Sequence, residues 1–249
     1  MPEGPSIVIL KEAIDALHLK GKVIRHAEGN AKIDLDRLIN QQITDFRSWG
    51  KHFLICFPDF TLRIHFMLFG SYLINAQKKT LPRLTLIFDK DELNFYACSV
   101  QILDQPADQL YDWRGDIMAN KWDAKLALKK LHENPKMLAC DALLDQHIFS
   151  GSGNIIKNEV LFRTRVHPMS HIGAIPDDKL KELVNETRNY AFDFLKWKKE
   201  NTLKKHWLAH TKKSCPRCNI PFHKEYLGKS KRRSYFCESC QERFLLETI

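Results

Sequence analysis

Pro2 and Glu3 form a pair whose residue types suit covalent catalysis at the start of the chain. Removal of Met1, which a small residue at position 2 permits, leaves a secondary amine at the terminus. An α-amino group titrates near ~8, against ~10.4 for a lysine side chain, so far more of it is unprotonated at neutral pH. Such an amine can attack an aldehydic sugar carbon and form an iminium, while a neighbouring carboxylate moves protons. Taken alone, the pair also fits an ordinary start to a helix.

Four cysteines near the end of the chain, Cys215, Cys218, Cys237 and Cys240, form two C-x-x-C pairs separated by 18 residues. This spacing is typical of a four-thiolate zinc site, in which a hairpin brings both pairs around one tetrahedral ion. The alternatives are two disulfides, which the absence of a secretory signal disfavours, or a redox pair. We therefore expect one structural Zn²⁺ per chain.

Residues 151–154 read Gly-Ser-Gly-Asn between two helical patterns, a combination that suits phosphate binding. The glycines allow a tight turn and the close approach of a ligand. Asn154 is placed to cap the next helix, whose free N–H groups and dipole favour an anion. In isolation, the same residues also fit a plain corner between two helices with a good cap.

The net charge of +9, from 39 basic and 30 acidic residues among 249, is concentrated at one end of the chain. Residues 196–249 hold 14 basic and 5 acidic side chains, whereas residues 1–195 are balanced. Concentrated positive charge beside an ordered metal motif favours a nucleic acid partner over a solvated lysine-rich face. No apolar run approaches the ~20 residues of a membrane span, and no signal peptide is recognised, which argues against membrane and secreted classes.

Two kinds of periodicity divide the chain into an α+β multidomain architecture. After a helix over residues 5–19, six short segments with period-two alternation between residues 43 and 95 predict an antiparallel β-sandwich or barrel. Residues 104–115 are predicted to be a linker. Helical periodicity then predicts helices over residues 122–133, 140–149 and 155–163, and a fourth that follows Pro176 with Asp177 as its N-cap.

Taken together, these motifs resemble the formamidopyrimidine-DNA glycosylase / endonuclease VIII family, the base-excision-repair enzymes with a helix–two-turn–helix module. The resemblance covers essentially the full length and is closer to the endonuclease VIII branch. Its most specific parts are residues 2–5, residues 143–155 and the two cysteine pairs, in family order. It implies a catalytic β-sandwich over residues 1–112, a helix–two-turn–helix DNA-binding domain over 113–210 and a four-cysteine zinc finger over 211–249.

The resemblance also implies roles for individual residues. Pro2 is similar to the family's nucleophile, which displaces the damaged base and forms a Schiff base with the sugar, and Glu3 to its acid/base partner. Lys51 is similar to the lysine that holds the phosphate beside the lesion, and Asn154 to the phosphate-binding asparagine. The family's phosphate-clamping arginine corresponds to Arg232 by its spacing to Cys237, with Arg233 as the alternative.

The triple Met67, Leu68 and Phe69 lies where the family carries the residues that fill the space left by an extruded base. Apolar wedges of this kind unstack bases at a cost of about a few kcal/mol. A strand edge packed into the core is the alternative, and we favour the wedge for Leu68.

Two departures from the family pattern affect the expected substrate. Ser6 stands where the family usually has a second glutamate, and residues 96–100 replace the Arg-Arg-Phe-Gly loop of the oxidised-purine branch. Both disfavour oxidised guanine and favour oxidised pyrimidines, abasic sites or a divergent specificity.

The sequence thus favours a bifunctional DNA glycosylase and AP lyase that removes oxidised bases and nicks the strand by β,δ-elimination. Its expected partner is double-stranded DNA with damaged bases or abasic sites. We expect a monomer without membrane association, cytoplasmic and associated with the nucleoid. The main alternative is a non-catalytic protein that binds damaged or abasic DNA on the same scaffold. A zinc-ribbon transcription regulator is a third possibility, but it leaves Pro2, Glu3 and the turn at 151–154 without a role.

Overall fold

The first half of the chain forms eight short strands, six of which lie at the predicted alternating segments. They are β1 (His26–Glu28), β2 (Asp45–Trp49), β3 (His52–Cys56), β4 (Thr61–His65), β5 (Ser71–Ile74), β6 (Leu84–Ile87), β7 (Glu92–Tyr96) and β8 (Ser99–Leu103). Two four-stranded antiparallel sheets result, with strand orders β2-β3-β4-β8 and β1-β6-β7-β5. The predicted antiparallel β-sandwich is therefore confirmed.

The computed structural model describes residues 2–246 and divides into two compact units, Met1–Asp112 and Trp113–Ile249. Within the described residues, no helix has both the length and the apolar composition needed to cross a membrane. The predicted removal of Met1 concerns a residue outside the described range.

Helix α1 (Gly4–Asp15) precedes the sheets and packs against β2 and β3. A proline in its first turn suits the helix start, where a missing N–H costs nothing. Ile7, Leu10 and Ile14 recur at helical spacing and are buried in the core that both sheets share. The helix is shorter than the predicted 5–19 because the chain leaves the helical region at His18, whose φ is +54°.

The predicted linker over residues 104–115 contains the boundary between the units, but its first part is fixed to the first unit. It includes a short helix, α2 (Ala107–Leu110). Arg47 Nη1 contacts Asp108 Oδ1 at 2.7 Å, Thr61 Oγ1 donates to the Gln105 carbonyl at 2.9 Å, and Trp49 Nε1 donates to the Asp112 carbonyl at 3.0 Å. Residues 105–112 therefore lie on the β2–β3–β4 sheet rather than forming a free connection.

The second unit contains the predicted helices, with two corrections. They are α3 (Ala124–His132), α4 (Ala139–Ala142), α5 (Asn154–Arg163) and α6 (Asp177–Lys199). The helix predicted over 140–149 ends at Ala142, because the Asp145 carboxylate accepts from the His147 N–H and offers the backbone a turn instead. Asp177 is the first residue of α6 rather than its cap, and Pro176 occupies the cap position.

A two-stranded hairpin closes the second unit, formed by β9 (His223–Leu227) and β10 (Arg232–Phe236). Gly228 begins its turn at φ +72°, and a Cβ there would lie 2.4 Å from Asp141 Oδ1. That carboxylate accepts hydrogen bonds from the N–H groups of Lys229 and Ser230, at 3.0 and 3.3 Å. The helical part of this unit therefore fixes the hairpin turn. With the β-sandwich and the helices, the hairpin completes the expected α+β fold.

Candidate functional site

The four cysteines of the two C-x-x-C pairs converge in the second unit. Their sulfur atoms all lie within 4.8 Å of one another, and Cys215 Sγ is 3.7 Å from Cys240 Sγ. Four thiolates at ~2.3 Å from one tetrahedral zinc ion need sulfur separations of this size. A disulfide needs ~2.05 Å, and all four residues are free cysteines. The cluster can therefore hold a metal ion such as zinc.

Arg217, inside the first cysteine pair, attaches this cluster to α5. Its guanidinium donates to the carbonyls of Phe162 and Arg163, at 2.8 and 3.3 Å, and lies 4.0 Å above the Phe162 ring. Both carbonyls belong to the last turn of α5, and that of Phe162 also accepts from the Arg165 N–H at 3.1 Å. The same guanidinium is 3.8 Å from Cys240 Sγ. Sequence reasoning missed this residue, although a cation between two thiolate ligands could have indicated it.

The turn before α5 differs in one respect from the expectation. Gly151 has φ +97°, which explains a glycine there. Gly153, however, occupies the N-cap position, and Asn154 is the first helical residue. The prediction that Asn154 caps α5 is therefore wrong, because its side chain projects from the first turn towards the hairpin. There its Nδ2 donates to the main-chain carbonyl of Arg233 at 3.0 Å.

The two arginines of β10 lie in different environments. Arg232 is half-buried and paired with Leu227 across the hairpin, whereas Arg233 is exposed. The Arg233 guanidinium lies 5.0 Å above the ring of Tyr226 and donates to its hydroxyl at 2.5 Å. Asn154 thus contacts strand β10, which carries both arginines, and the Arg233 side chain contacts Tyr226.

Helix α5 is buried all round, although three of its central residues are polar. Lys157, Asn158 and Glu159 are each at most 1% exposed. The Glu159 carboxylate accepts from three consecutive N–H groups, those of residues 208–210, at 2.7 to 2.9 Å. It therefore fixes the segment that leads into the first cysteine pair.

Asn158 joins the same segment to the hairpin. Its side-chain oxygen accepts from the Tyr235 N–H at 3.0 Å, and its Nδ2 lies 3.3 Å from His210 Nδ1. Burial lowers the pKa of His210 to about 4, with a further contribution from the Lys157 ammonium. The imidazole is therefore neutral at pH 7, and its Nδ1 accepts from Asn158. Sequence reasoning missed these residues, and the signal was a run of three polar residues inside an apolar helix.

In the first unit, the predicted catalytic pair lies at the start of α1. Glu3 holds the N-cap position in an extended conformation, with φ −116° and ψ 172°, and is only 1% exposed. Its carbonyl accepts from the Ser6 N–H at 2.8 Å. Pro2 is half-buried. A carboxylate so close to the positive end of a helix dipole is electrostatically favoured.

Lys51 lies in the tight turn between β2 and β3, after Gly50 at φ +53°. Next to it, the His52 ring contacts those of His65 and Tyr111, with centroid distances of 5.3 and 5.9 Å. Burial lowers the pKa of His52 to about 3, with contributions from the cations of Arg63 and Lys51, and also lowers that of His65. Both imidazoles are therefore neutral beside the Lys51 ammonium. Neither histidine was predicted from the sequence to belong to the site.

The triple at residues 67–69 forms an exposed turn between β4 and β5. Met67, Leu68 and Phe69 are 53%, 45% and 82% exposed, whereas Phe66 is buried. Of the two alternatives for this segment, core packing therefore applies to Phe66 and not to Leu68. Gly70 has no room for a side chain, since a Cβ would lie 2.2 Å from the Phe66 carbonyl oxygen.

Residues 96–100, which the sequence predicts to stand in place of the Arg-Arg-Phe-Gly loop of the oxidised-purine branch, form a short connection. Strand β7 ends at Tyr96 and β8 begins at Ser99, so only two residues connect them. Ala97 adopts φ +48° to make this turn. The connection therefore carries no extended loop at this position.

Two known protein families match parts of this chain. The formamidopyrimidine-DNA glycosylase N-terminal domain family matches residues 1–98, and the formamidopyrimidine-DNA glycosylase H2TH domain family matches residues 115–202. Endonuclease 8-like 3 of Xenopus laevis is 29% identical over 239 residues, covering 91% of this chain and 39% of that protein. Endonuclease 8-like 2 of Bos taurus is 34% identical over 199 residues, covering 73% of this chain and 58% of that protein.

Among solved structures, Lactococcus lactis formamidopyrimidine-DNA glycosylase, bound non-covalently to DNA with an AP site, has the same fold. Its TM-score is 0.83 at 19% identity, covering 97% of this chain and 100% of that one. The chain belongs to the formamidopyrimidine-DNA glycosylase / endonuclease VIII family, because two domain families of this group together match most of its length. It spans 39% and 58% of the lengths of the two curated relatives named above.

Proposed function

We propose that this chain is a DNA glycosylase of base excision repair with AP lyase activity, acting on oxidised bases. The observation that carries the proposal is Glu3, a carboxylate only 1% exposed at the start of α1, directly after Pro2. Family membership supports it, as do relatives named Endonuclease 8-like and a structural neighbour described as bound to AP-site DNA.

The chemistry follows from the two residue types. After removal of Met1, the lone pair of the Pro2 nitrogen attacks C1′, and the damaged base leaves with the electrons of the glycosidic bond and a proton. The Glu3 carboxylate takes the proton that the Pro2 nitrogen carries after attack and gives it to the ring oxygen, the bond from C1′ to that oxygen breaks, and an iminium joins C1′ to Pro2. The iminium acidifies the C2′ hydrogen. Loss of that proton expels the 3′ phosphate, loss of the C4′ proton then expels the 5′ phosphate, and water hydrolyses the iminium to release the amine.

The remaining site residues have binding roles in this proposal. Lys51, Asn154 and Arg232 hold backbone phosphates, so that the lesion leaves the base stack. Leu68, already exposed on its turn, fills the space that the lesion vacates. A zinc ion on the four cysteines keeps the hairpin of Arg232 folded, since such small elements depend on their metal.

Oxidised pyrimidines are the proposed preference. Ser6 offers no carboxylate at its position, and the two-residue connection between β7 and β8 leaves no loop to enclose a purine. The same two features favour one alternative, a non-catalytic binder of damaged or abasic DNA. Strand nicking distinguishes the two, because a binder forms a complex without turnover.

The test is an incision assay on duplexes with oxidised pyrimidines, oxidised purines or abasic sites, each with borohydride trapping. We expect a covalent adduct and nicking, with the highest rate on oxidised pyrimidines. Glu3→Gln is expected to retain binding and lose excision by at least about 10²-fold. Glu12→Gln, on the exposed side of the same helix, is the matched control. Binding of abasic DNA without nicking or adduct by the processed wild-type protein would contradict the enzymatic proposal.

A further inference from the structure

Lys157 lies at the centre of α5 and is completely buried, with an exposed fraction of 0%. Its ammonium donates to the main-chain carbonyl of Arg233 at 3.2 Å and to Ser234 Oγ at 2.9 Å. Ser234 is also completely buried. A lysine amine is costly to bury unless hydrogen bonds replace its water. Two of the hydrogen bonds of this ammonium are thus made to adjacent residues of the hairpin strand β10.

The Arg233 carbonyl receives donors from three side chains of one helix face. Asn154 Nδ2 lies at 3.0 Å, Lys157 Nζ at 3.2 Å and Asn158 Nδ2 at 3.3 Å. A carbonyl oxygen has two lone pairs, so two neutral amides are already enough to satisfy it. Packing alone therefore does not require a lysine. What the ammonium adds is a stronger, charge-assisted bond and a second anchor on Ser234.

The hydrogen bonds to the Arg233 carbonyl affect two predicted phosphate ligands, Asn154 on α5 and Arg232 on β10. Asn154 uses one amide hydrogen on the Arg233 carbonyl, which leaves the other for a ligand. Arg232 precedes the same carbonyl on β10. Any shift of β10 along α5 therefore changes both the direction of the Asn154 amide and the position of the Arg232 side chain.

We propose that Lys157 is a positioning residue that sets the register between α5 and β10, and so the spacing of Asn154 and Arg232 as phosphate ligands. The inference deepens the proposed function and rests on it for the identity of the ligand. Lys157 is buried and contacts no DNA itself. Its effect on binding passes through the Arg233 carbonyl and Ser234.

The first test is made without DNA. Lys157→Met has nearly the same length and no charge, and Lys125→Met, at an exposed position on α3, is the matched control. In the free protein with bound zinc, we expect Lys157→Met to shift the NMR resonances of the Asn154 side-chain amide and of the β10 amides. Lys125→Met leaves them unchanged. Unshifted resonances in a folded Lys157→Met protein overturn the proposal, whatever the chain does to DNA.

The second test measures affinity for a duplex with a tetrahydrofuran abasic analogue over a range of salt concentrations. Lys157→Met is expected to weaken binding about tenfold with an unchanged salt slope, since no phosphate contact is lost. In an Asn154→Ala/Arg232→Gln background, the same change is expected to cost less than about twofold, because both ligands that Lys157 positions are gone. Additive losses indicate general destabilisation, and a slope reduced by about one indicates direct phosphate contact. Either result contradicts a positioning role.

Ser234→Ala provides an independent variant if Lys157→Met does not fold. It removes one acceptor of the ammonium and keeps the lysine, so a smaller loss of affinity, about threefold, is expected, again with an unchanged slope. Wild-type affinity in Ser234→Ala, with native zinc content, counts against the proposal. If the proposed function itself is wrong, the observation is different: the wild-type protein shows no preference for abasic over undamaged duplex.

Discussion

The side-chain amide of Asn154 donates a hydrogen bond to the main-chain carbonyl of Arg233 at 3.0 Å, across 79 positions of the sequence. This bond joins the first turn of α5 to the hairpin that the cysteine cluster closes. A residue expected to bind phosphate and a strand expected to carry a phosphate clamp therefore form one rigid junction.

Asn154→Ala is expected to weaken binding of abasic-site duplex about tenfold and to leave the salt slope of the affinity unchanged, because the amide is neutral and releases no counterion. The reason is the loss of one phosphate donor at the start of α5. Asn185→Ala, at an exposed position on α6, serves as the control. Fluorescence anisotropy over a salt series measures both quantities, and an unchanged affinity for Asn154→Ala excludes this residue from the interface.

Arg232→Gln is expected to cost more affinity than Arg233→Gln, by about tenfold, and to lower the salt slope by about one. The spacing of Arg232 to Cys237 resembles that of the family's phosphate-clamping arginine, whereas the Arg233 guanidinium lies against the ring and hydroxyl of Tyr226. The same anisotropy series compares the two variants, each of which removes one charge from the same strand. The reverse order identifies Arg233 as the phosphate clamp.

Removal of the metal is expected to abolish tight DNA binding. The four sulfur atoms lie within 4.8 Å of one another, and four unmetallated thiols lose the bonds that hold the cysteine pairs together. Metal analysis is expected to find one zinc per chain, and Cys240→Ser to lower both zinc content and the melting temperature of the second unit. Restored binding after zinc is added back to chelated protein checks reversibility. Full affinity in a zinc-free protein contradicts this prediction.

The stability of the first unit is expected to fall as pH falls from about 6.5 to about 3. Burial lowers the pKa of His52 to about 3, so between these values the unfolded chain binds a proton that the folded one does not. Above pH 6.5 this residue makes no pH-dependent contribution. His52→Phe is expected to reduce the slope by up to ~1.4 kcal/mol per pH unit. Urea unfolding followed by NMR of β3 amides measures it, with His26→Phe, which is exposed, as the control.

Leu68→Ala is expected to slow base excision by about tenfold while leaving the melting temperature unchanged. The side chain is 45% exposed, so little core packing is lost, whereas an apolar wedge stabilises the unstacked duplex. Leu81→Ala, at another exposed leucine (69%), is the matched control. Equal excision rates in the two variants assign the wedge to another residue.

Spacing along the chain predicted some parts of the structure and left others out. The cysteine pairs, the sandwich strands and α5 were predictable because each rests on local periodicity or on a metal with fixed ligand geometry. Helix 140–149 was not, because the Asp145 side chain competes for the backbone in a way that apolar periodicity does not register. Lys157 and Glu159 were missed for a different reason. Their partners, Ser234 and residues 208–210, lie far away in sequence.

In the proposed mechanism, the amine of Pro2 forms the covalent bond to the sugar. Borohydride reduction of the reaction on abasic-site duplex, followed by proteolysis and mass spectrometry, locates the adduct directly. We predict the added sugar mass on the peptide that begins at Pro2, and its near-complete loss in Pro2→Gly but not in the exposed-turn control Pro58→Gly. An adduct on Lys51 or any other lysine, or an undiminished yield from Pro2→Gly, contradicts the account.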